Sequence, residues 1–506
     1  MRNIIPKLPL TLPKPKVRQT PTQALNSVTS KRGLGVFASS DRLFKGAVFG
    51  RDSLEVAEDL MYLKPKLVEK IILTMASLQG EVDNPSNEEE PGKIVHEYRT
   101  PDIDGRALNQ TSREIYERLG SMWGGTEDHL SYYGSVDSTP LFIRVLARYC
   151  NAYGMEIMTK QVTLQSGKKE SVLWVFDKAI EWLVLHLQNS KSGFIEYHRK
   201  NPHGIENQVW KDSREFYIHE NGQLASHNHP ISSIEVQAQA YDALMMAAEI
   251  LPSKKVLEER AKTLQAQTIK LLWLPERDYF ALGTDYDDEL SLRIIKTTTA
   301  NPAEMLDSLI FKNLPFEKKR KYISSIVREI LGTDFLTDAG IRSRALSESK
   351  LVEFWDYHGS YVTWPKETYD VAKGLRRQGF PALARELENR LLNVVRATRA
   401  YPEFVYVDPR GRVLGVPTPS KTHGEMVFVD STNKPEKIQA WTVSAVLAIY
   451  SQRRFHNVQH IRQEQWQIDL ESEVMRNIPQ VKRLKSSKEL SARYPFYPYE
   501  LNDERN

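Results

Sequence analysis

Asn207-Gln208-Val209-Trp210-Lys211-Asp212-Ser213-Arg214-Glu215-Phe216-Tyr217-Ile218-His219-Glu220-Asn221-Gly222 presses charged groups against large aromatics. A surface loop has no use for Trp210, Phe216 and Tyr217, and a core does not tolerate Lys211, Asp212, Arg214 and Glu215 together. A pocket that grips a polar ligand on an aromatic floor needs both. Five more clusters of this kind punctuate the chain: Gly50-Arg51-Asp52-Ser53, Tyr133-Gly134-Ser135-Val136-Asp137, the run Tyr357 to Pro365, Tyr401-Pro402-Glu403-Phe404, and Gln439-Ala440-Trp441. Each stands at the start of a helical run or in a loop. Any one could be a capping carboxylate or a satisfied loop histidine; Asp137, before a helix with Pro140 in its first turn, reads equally well as an N-cap.

Between the clusters, apolar spacing predicts helices over 54–63, 65–78, 141–153, 172–188, 232–250, 254–272, 302–312, 317–331, 367–378, 382–398 and 438–452. Few stretches alternate as strands do. Helices arriving in pairs, with polar clusters at corresponding ends, suggest a ring of inner and outer helices whose mouth collects the clusters. Residues 1–32, rich in Pro and Lys, are expected to be extended, 33–455 to form the catalytic domain, and 456–506 to be an aromatic tail packed on it. The acidic, turn-rich stretch 81–92 reads as a solvated loop.

Composition narrows the partners. A formal net charge of +4 over 506 residues gives no basic patch for nucleic acid. The lone Cys150 excludes an intramolecular disulfide framework and a cysteine-based zinc site. His227 and His229 lack an evident third ligand, so no metal or cofactor is implied. No run of apolar residues reaches membrane-spanning length, and the start of the chain has no signal-peptide core. A cytoplasmic protein is expected.

In their order, Arg51-Asp52, Ser135-Val136-Asp137, Asn207-Gln208 with Trp210-Lys211-Asp212-Ser213, Gly359-Ser360 with Trp364-Pro365, Pro402-Glu403 and Gln439-Ala440-Trp441 resemble the glucosidase domain of glycogen debranching enzymes and related bacterial amylo-α-1,6-glucosidase-like proteins. Neutral invertases and the glucosidase–mannosylglycerate hydrolase group share some of these signatures. The resemblance covers about residues 35–455. It implies an all-α (α/α)6 barrel and an inverting, exo-acting glycoside hydrolase, foremost an α-glucosidase. Asp212 would be its general acid and Glu403 its general base. Arg51 and Asp52 would bind sugar hydroxyls, with Trp364, Trp441 and Gln439 lining the pocket. Asp137, Trp210, Lys211 and His358 complete the candidate substrate contacts, although Lys211 and Arg214 are expected to face away from the acid. Trp210 would desolvate Asp212 and raise its pKa. The partner implied is an oligosaccharide or a small glycoside such as sucrose, trehalose or a glycosyl-glycerate. A sugar epimerase working through His227, His229 and His358 is the more distant alternative, and a binding protein with a dead site another.

Overall fold

The computed structural model describes residues 19–252, 254–353, 356–413, 435–455 and 463–479. Fifteen α-helices lie among them. They begin with α1 (Pro21–Val28), α2 (Gly50–Leu60), α3 (Pro65–Ser77), α4 (Gln110–Met122), α5 (Ser138–Tyr153), the single turn α6 (Glu156–Thr159) and α7 (Val172–Asn189). The series continues with α8 (Ile234–Ile250), α9 (Lys254–Leu272), α10 (Asn301–Glu304), α11 (Phe316–Ile330), α12 (Pro365–Arg377), α13 (Pro381–Thr398), α14 (Ala440–Phe455) and α15 (Gln465–Asn477). None of the described helices is long and apolar enough to cross a membrane.

Two kinds of helix alternate. α8 is buried on nearly every face, whereas its neighbour α9 buries only the stripe Leu257, Ala261, Leu264, Gln265, Thr268 and Leu272. A helix buried all round belongs inside, and one with a single apolar stripe belongs outside. The buried set contacts in sequence: α2 with α5, α5 with α8, α8 with α10, α10 with α12, α12 with α14, and α14 with α2. α3, α7, α9, α11 and α13 pack on α2, α5, α8, α10 and α12 in turn. α14 receives α1 instead. The expectation of an extended segment through residue 32 is therefore corrected over Pro21–Val28. Thr20 caps that helix with Gln23 in a reciprocal capping box, Pro21 begins it, and Ala24, Leu25 and Val28 are buried. At the other end, α15 packs on α13.

Short strands supply what helical periodicity missed. The largest sheet is antiparallel and runs Leu292–Ile295, Gly283–Tyr286, Ile231–Ser233, Glu196–Tyr197. Strands also precede the inner helices: Val48–Phe49 leads into α2, Ile231–Ser233 into α8, and Val362–Thr363 into α12. Val362–Thr363 pairs with Val405–Tyr406, which draws Trp364 and Glu403 to the same end of the molecule. Stretch 81–92 is not simply solvated. Glu88 is buried and its Oε1 accepts the backbone N–H groups of Lys200 and Asn201, each at 2.7 Å.

Candidate active site

Gly50 begins α2 where any side chain would strike the Val95 carbonyl, and this close approach carries Arg51 and Asp52 to the end of the helix array. Arg51 Nη1 meets Asp137 Oδ2 at 2.6 Å, and both side chains are buried. Asp137 does occupy the N-cap position of α5, but its side chain makes no capping bond. Its carboxylate is turned to Arg51, which corrects the N-cap reading. Asp52 Oδ1 accepts from Gln439 Nε2 at 3.0 Å, tying the first inner helix to the last.

The stretch that carries Asp212 has neither helix nor strand, and it is held by side chains. Asn207 Nδ2 donates to the Ser213 carbonyl at 2.8 Å, and Ser213 Oγ to Asp356 Oδ1 at 2.9 Å. Arg344 donates to the Phe216 carbonyl. Asp212, partly open to solvent, accepts a hydrogen bond from the Tyr357 hydroxyl at 2.7 Å on Oδ1. Arg214 faces out as expected, its side chain 72% exposed. Lys211 does not. Its side chain is 0% exposed and its ammonium is committed to Glu367, to Asn301 Oδ1 at 3.0 Å and to the Ser343 carbonyl at 3.4 Å. The outward expectation fails because it assumed helical spacing where the backbone is irregular. A substrate contact by Lys211 is corrected with it, since the protein already takes its donors.

Glu403 is buried. Its Oε2 accepts the Glu436 backbone N–H at 3.0 Å, and its own N–H donates back to the Glu436 carbonyl at 3.0 Å. Around these carboxyls stands an aromatic wall centred on Trp364. Its ring lies 5.0 Å from His358 in a stacked arrangement, 5.6 Å from Trp210, 5.0 Å from Phe404 and 5.9 Å from Trp441. Its Nε1 donates to the Tyr357 carbonyl at 2.7 Å.

The electrostatics follow from burial. Burial raises Asp212 to about 6, against Arg51 and the Tyr357 hydroxyl, while Asp137 adds to the rise. Asp52 is pushed up to about 7 by burial, with Arg51 opposing and Asp137 and Asp212 assisting. Burial drives Glu403 well above the usual range. The Glu436 N–H offsets part of this, and the charges of Glu436, Asp52 and Asp212 add to it. These mutual influences join Asp52, Asp137, Asp212, Glu403 and Arg51 in one field. Burial, then Lys211 and Arg51, force His358 far below its ordinary value, so its imidazole is neutral at pH 7.

Several buried polar atoms here have no hydrogen-bond partner: Arg51 Nε, Asp137 Oδ1, Gln439 Oε1, Trp441 Nε1 and both ring nitrogens of His358. Buried polar groups are ordinarily satisfied, so these atoms have donor and acceptor capacity to spare for a polar guest. His227, by contrast, has Nε2 on Asn207 Oδ1 at 3.1 Å. Among the described residues no group of three or more His, Cys, Asp or Glu could hold a metal ion. Tyr357, inside one of the clusters, is not among the candidate residues, nor are Glu367 and Asn301, which hold Lys211. Nothing in the sequence distinguishes this tyrosine, beside His358 and two residues before Gly359; the fold brings its hydroxyl to Asp212.

No protein-family model and no curated protein matches the chain. Among solved structures it superposes on the GH63 mannosylglycerate hydrolase from Thermus thermophilus in complex with Tris, with TM-score 0.51, 14% identity, and 86% of this chain and 100% of that chain covered. The same hydrolase in complex with glucose gives TM-score 0.50, 14% identity, and coverage of 86% and 99%. A wild-type glycosidase gives TM-score 0.50, 9% identity, and coverage of 85% and 95%. The likeness is one of fold. The chain has the fold of these glycoside hydrolases.

Proposed function

We propose that the protein is an inverting glycoside hydrolase on an (α/α)6 barrel, with Asp212 as general acid and Glu403 as general base. The cyclic succession of inner-helix contacts supports the barrel. The observation that carries the reaction is that Asp212 and Glu403, 191 positions apart in the sequence, share one electrostatic field beside the wall of Trp210, Trp364 and Trp441. Inversion needs one protonated carboxyl at the glycosidic oxygen and one carboxylate activating water on the opposite face of the ring. Arg51, Asp137, Gln439 and Trp441 would bind the sugar hydroxyls with the atoms that lack partners, with Asp52 beside them.

Burial raises both carboxyls, which suits an acid but opposes a base. Substrate would divide the roles: positive charge developing on the sugar favours an ionised Glu403, and an aglycone over Asp212 deepens its desolvation. The sugar we propose is an α-linked glucosyl unit. Its aglycone is a glucan or oligosaccharide end in the first reading. A small α-glycoside such as a glycosyl-glycerate is the second, favoured by the fold likeness to a mannosylglycerate hydrolase. An epimerase draws little support, because His358 is buried and neutral and His227 is occupied by Asn207.

The test is a panel of α-glucosides and α-mannosides, including maltose, isomaltose, sucrose, trehalose and glycosyl-glycerates, with the anomer of the product followed by NMR. Release of a β-sugar is expected; a retained anomer or C2 epimerisation would sink the reading. Asp212→Asn and Glu403→Gln are each expected to lower kcat by about 10²–10⁴-fold while folding as wild type. On an α-glycosyl fluoride, whose leaving group needs little protonation, only the acid variant regains activity. Recovery by E403Q instead would exchange the two roles.

A further inference from the structure

The buried lysine beside the acid has a more specific use than stability. Lys211 joins three elements: the irregular stretch 207–216, Asn301 at the first residue of α10, and Glu367 in the first turn of α12. Ser343 closes the hub from two sides. Its carbonyl accepts from Lys211 at 3.4 Å and its hydroxyl donates to the second oxygen of Glu367 at 2.9 Å. The ammonium also lies 5.0 Å from the Trp210 ring and 5.1 Å from that of Phe216. Trp210 and Asp212 flank it in sequence, the first in the aromatic wall and the second on the Tyr357 hydroxyl. A buried ion pair is seldom better for stability than an apolar pair of the same volume. What it supplies is a single geometry, and a loop without helix or strand has few other ways to fix one.

We propose that Lys211 is a positioning residue for Asp212: anchored on Glu367 and Asn301, it holds the backbone so that the next side chain presents its carboxyl to the glycosidic oxygen. This rests on the general-acid reading of Asp212. Lys211 makes no contact with substrate. A misplacement of the acid by about 1 Å costs on the order of 100-fold in rate, and the loss falls on proton donation alone.

The experiment compares two leaving groups. Lys211→Met is measured together with the double variant K211M/E367Q, because K211M alone strands a buried carboxylate; the amide introduced by E367Q keeps an acceptor for Ser343. Thermal unfolding establishes that the proteins tested are folded. Each is assayed on the O-glycoside that wild type hydrolyses best and on the α-glucosyl or α-mannosyl fluoride of the same sugar. The expected result is a fall of about 100-fold in kcat on the O-glycoside, little change in KM, and a fluoride rate within about threefold of wild type. Equal losses on both substrates would overturn the proposal, since a distorted sugar pocket slows both. Undiminished activity on the O-glycoside would overturn it as well. Wild type inactive on every O-glycoside and on both fluorides would sink the hydrolase reading, and this proposal with it, before any variant is compared.

Discussion

The same inner helices carry two buried polar layers, and the layers differ in what their charges touch. At the end that carries Asp212, Arg51 opposes the rise of Asp52 and Asp212 and pairs with Asp137, yet burial leaves Asp52 near 7 and Asp212 near 6. Two or three turns deeper, Arg144 bonds Glu58 at 2.7 Å and Asp307 at 2.6 Å, and Arg148 reaches Glu58 at 2.9 Å. There burial again opposes ionisation, yet Arg144, Arg148 and Lys373 hold Glu58 down to about 2, and Arg377 and Arg144 hold Asp307 low. Depth alone is not the cause: in the same lower layer burial pushes Asp59 up and Glu304 well up, where the cations do not suffice. A small polar cavity of about 20 Å³ lies among Glu55, Arg144, Glu235, Glu304, Asp370 and Lys373, and neither Asp212 nor Glu403 lines it. The lower layer also has buried atoms without a hydrogen-bond partner, Arg148 Nη2 and Glu235 Oε1 among them, but several cations are shared among its carboxylates. In the upper layer Arg51 Nε, Asp137 Oδ1, Gln439 Oε1 and Trp441 Nε1 lack partners beside the aromatic wall, and that pairing of polar atoms with ring faces suits a sugar.

The comparison breaks most visibly at Arg144. Replacing it with Ala leaves Glu58, Asp307 and Asp242 without their shared cation, and breaking a buried pair this way costs about 3–5 kcal/mol. Chemical denaturation should register that loss, while KM of the folded fraction stays at the wild-type value. At Asp52 the sign reverses. Asp52 has a folded pKa near 7, above its unfolded 3.8, so ionising it penalises the fold increasingly from about pH 4 to pH 7. Asp52→Asn removes that penalty and can still accept from Gln439. It is expected to stabilise the protein at pH 8 by on the order of 2 kcal/mol, to have little effect near pH 4, and to lower activity. A Tm difference that does not grow across that pH range would contradict the assignment of Asp52 as an underpaired carboxyl.

Much of this was legible in residues, and the failures have identifiable causes. Apolar spacing found 254–272 to the residue and 172–188 within one, because an outer helix advertises its stripe. It overran at 302–312, where only Asn301–Glu304 and a 3₁₀ turn, Met305–Asp307, form. There Asp242 accepts from both Ser308 Oγ and the Leu309 N–H, bonds that turn the chain out of the helix. It passed over α4, which buries only Ser112 and Ile115 and so has almost no stripe. Prolines made 1–32 look extended, though Pro21 sits where a helix accepts one. The polar clusters were visible; which member meets which was not. Lys211 and Asp137 show why: the partner of each, Glu367 or Arg51, lies 156 or 86 positions away.

The smallest effect expected is at Tyr357, and it is the most informative about roles. Its hydroxyl donates to Asp212 at 2.7 Å, favouring the ionised carboxylate and so holding the pKa below what burial alone would give. Tyr357→Phe removes that bond with the ring left against Phe404, 6.4 Å away. The pKa of Asp212 must then rise from about 6. A general acid works only when protonated, so activity falls as pH climbs through its pKa, and the alkaline limb of the kcat/KM profile should move to higher pH. The maximal rate should drop by about tenfold, as expected for one hydrogen bond to a charged group. If the acidic limb moves to higher pH instead, Asp212 is acting as the ionised partner, and the proton that cleaves the glycosidic bond comes from Glu403.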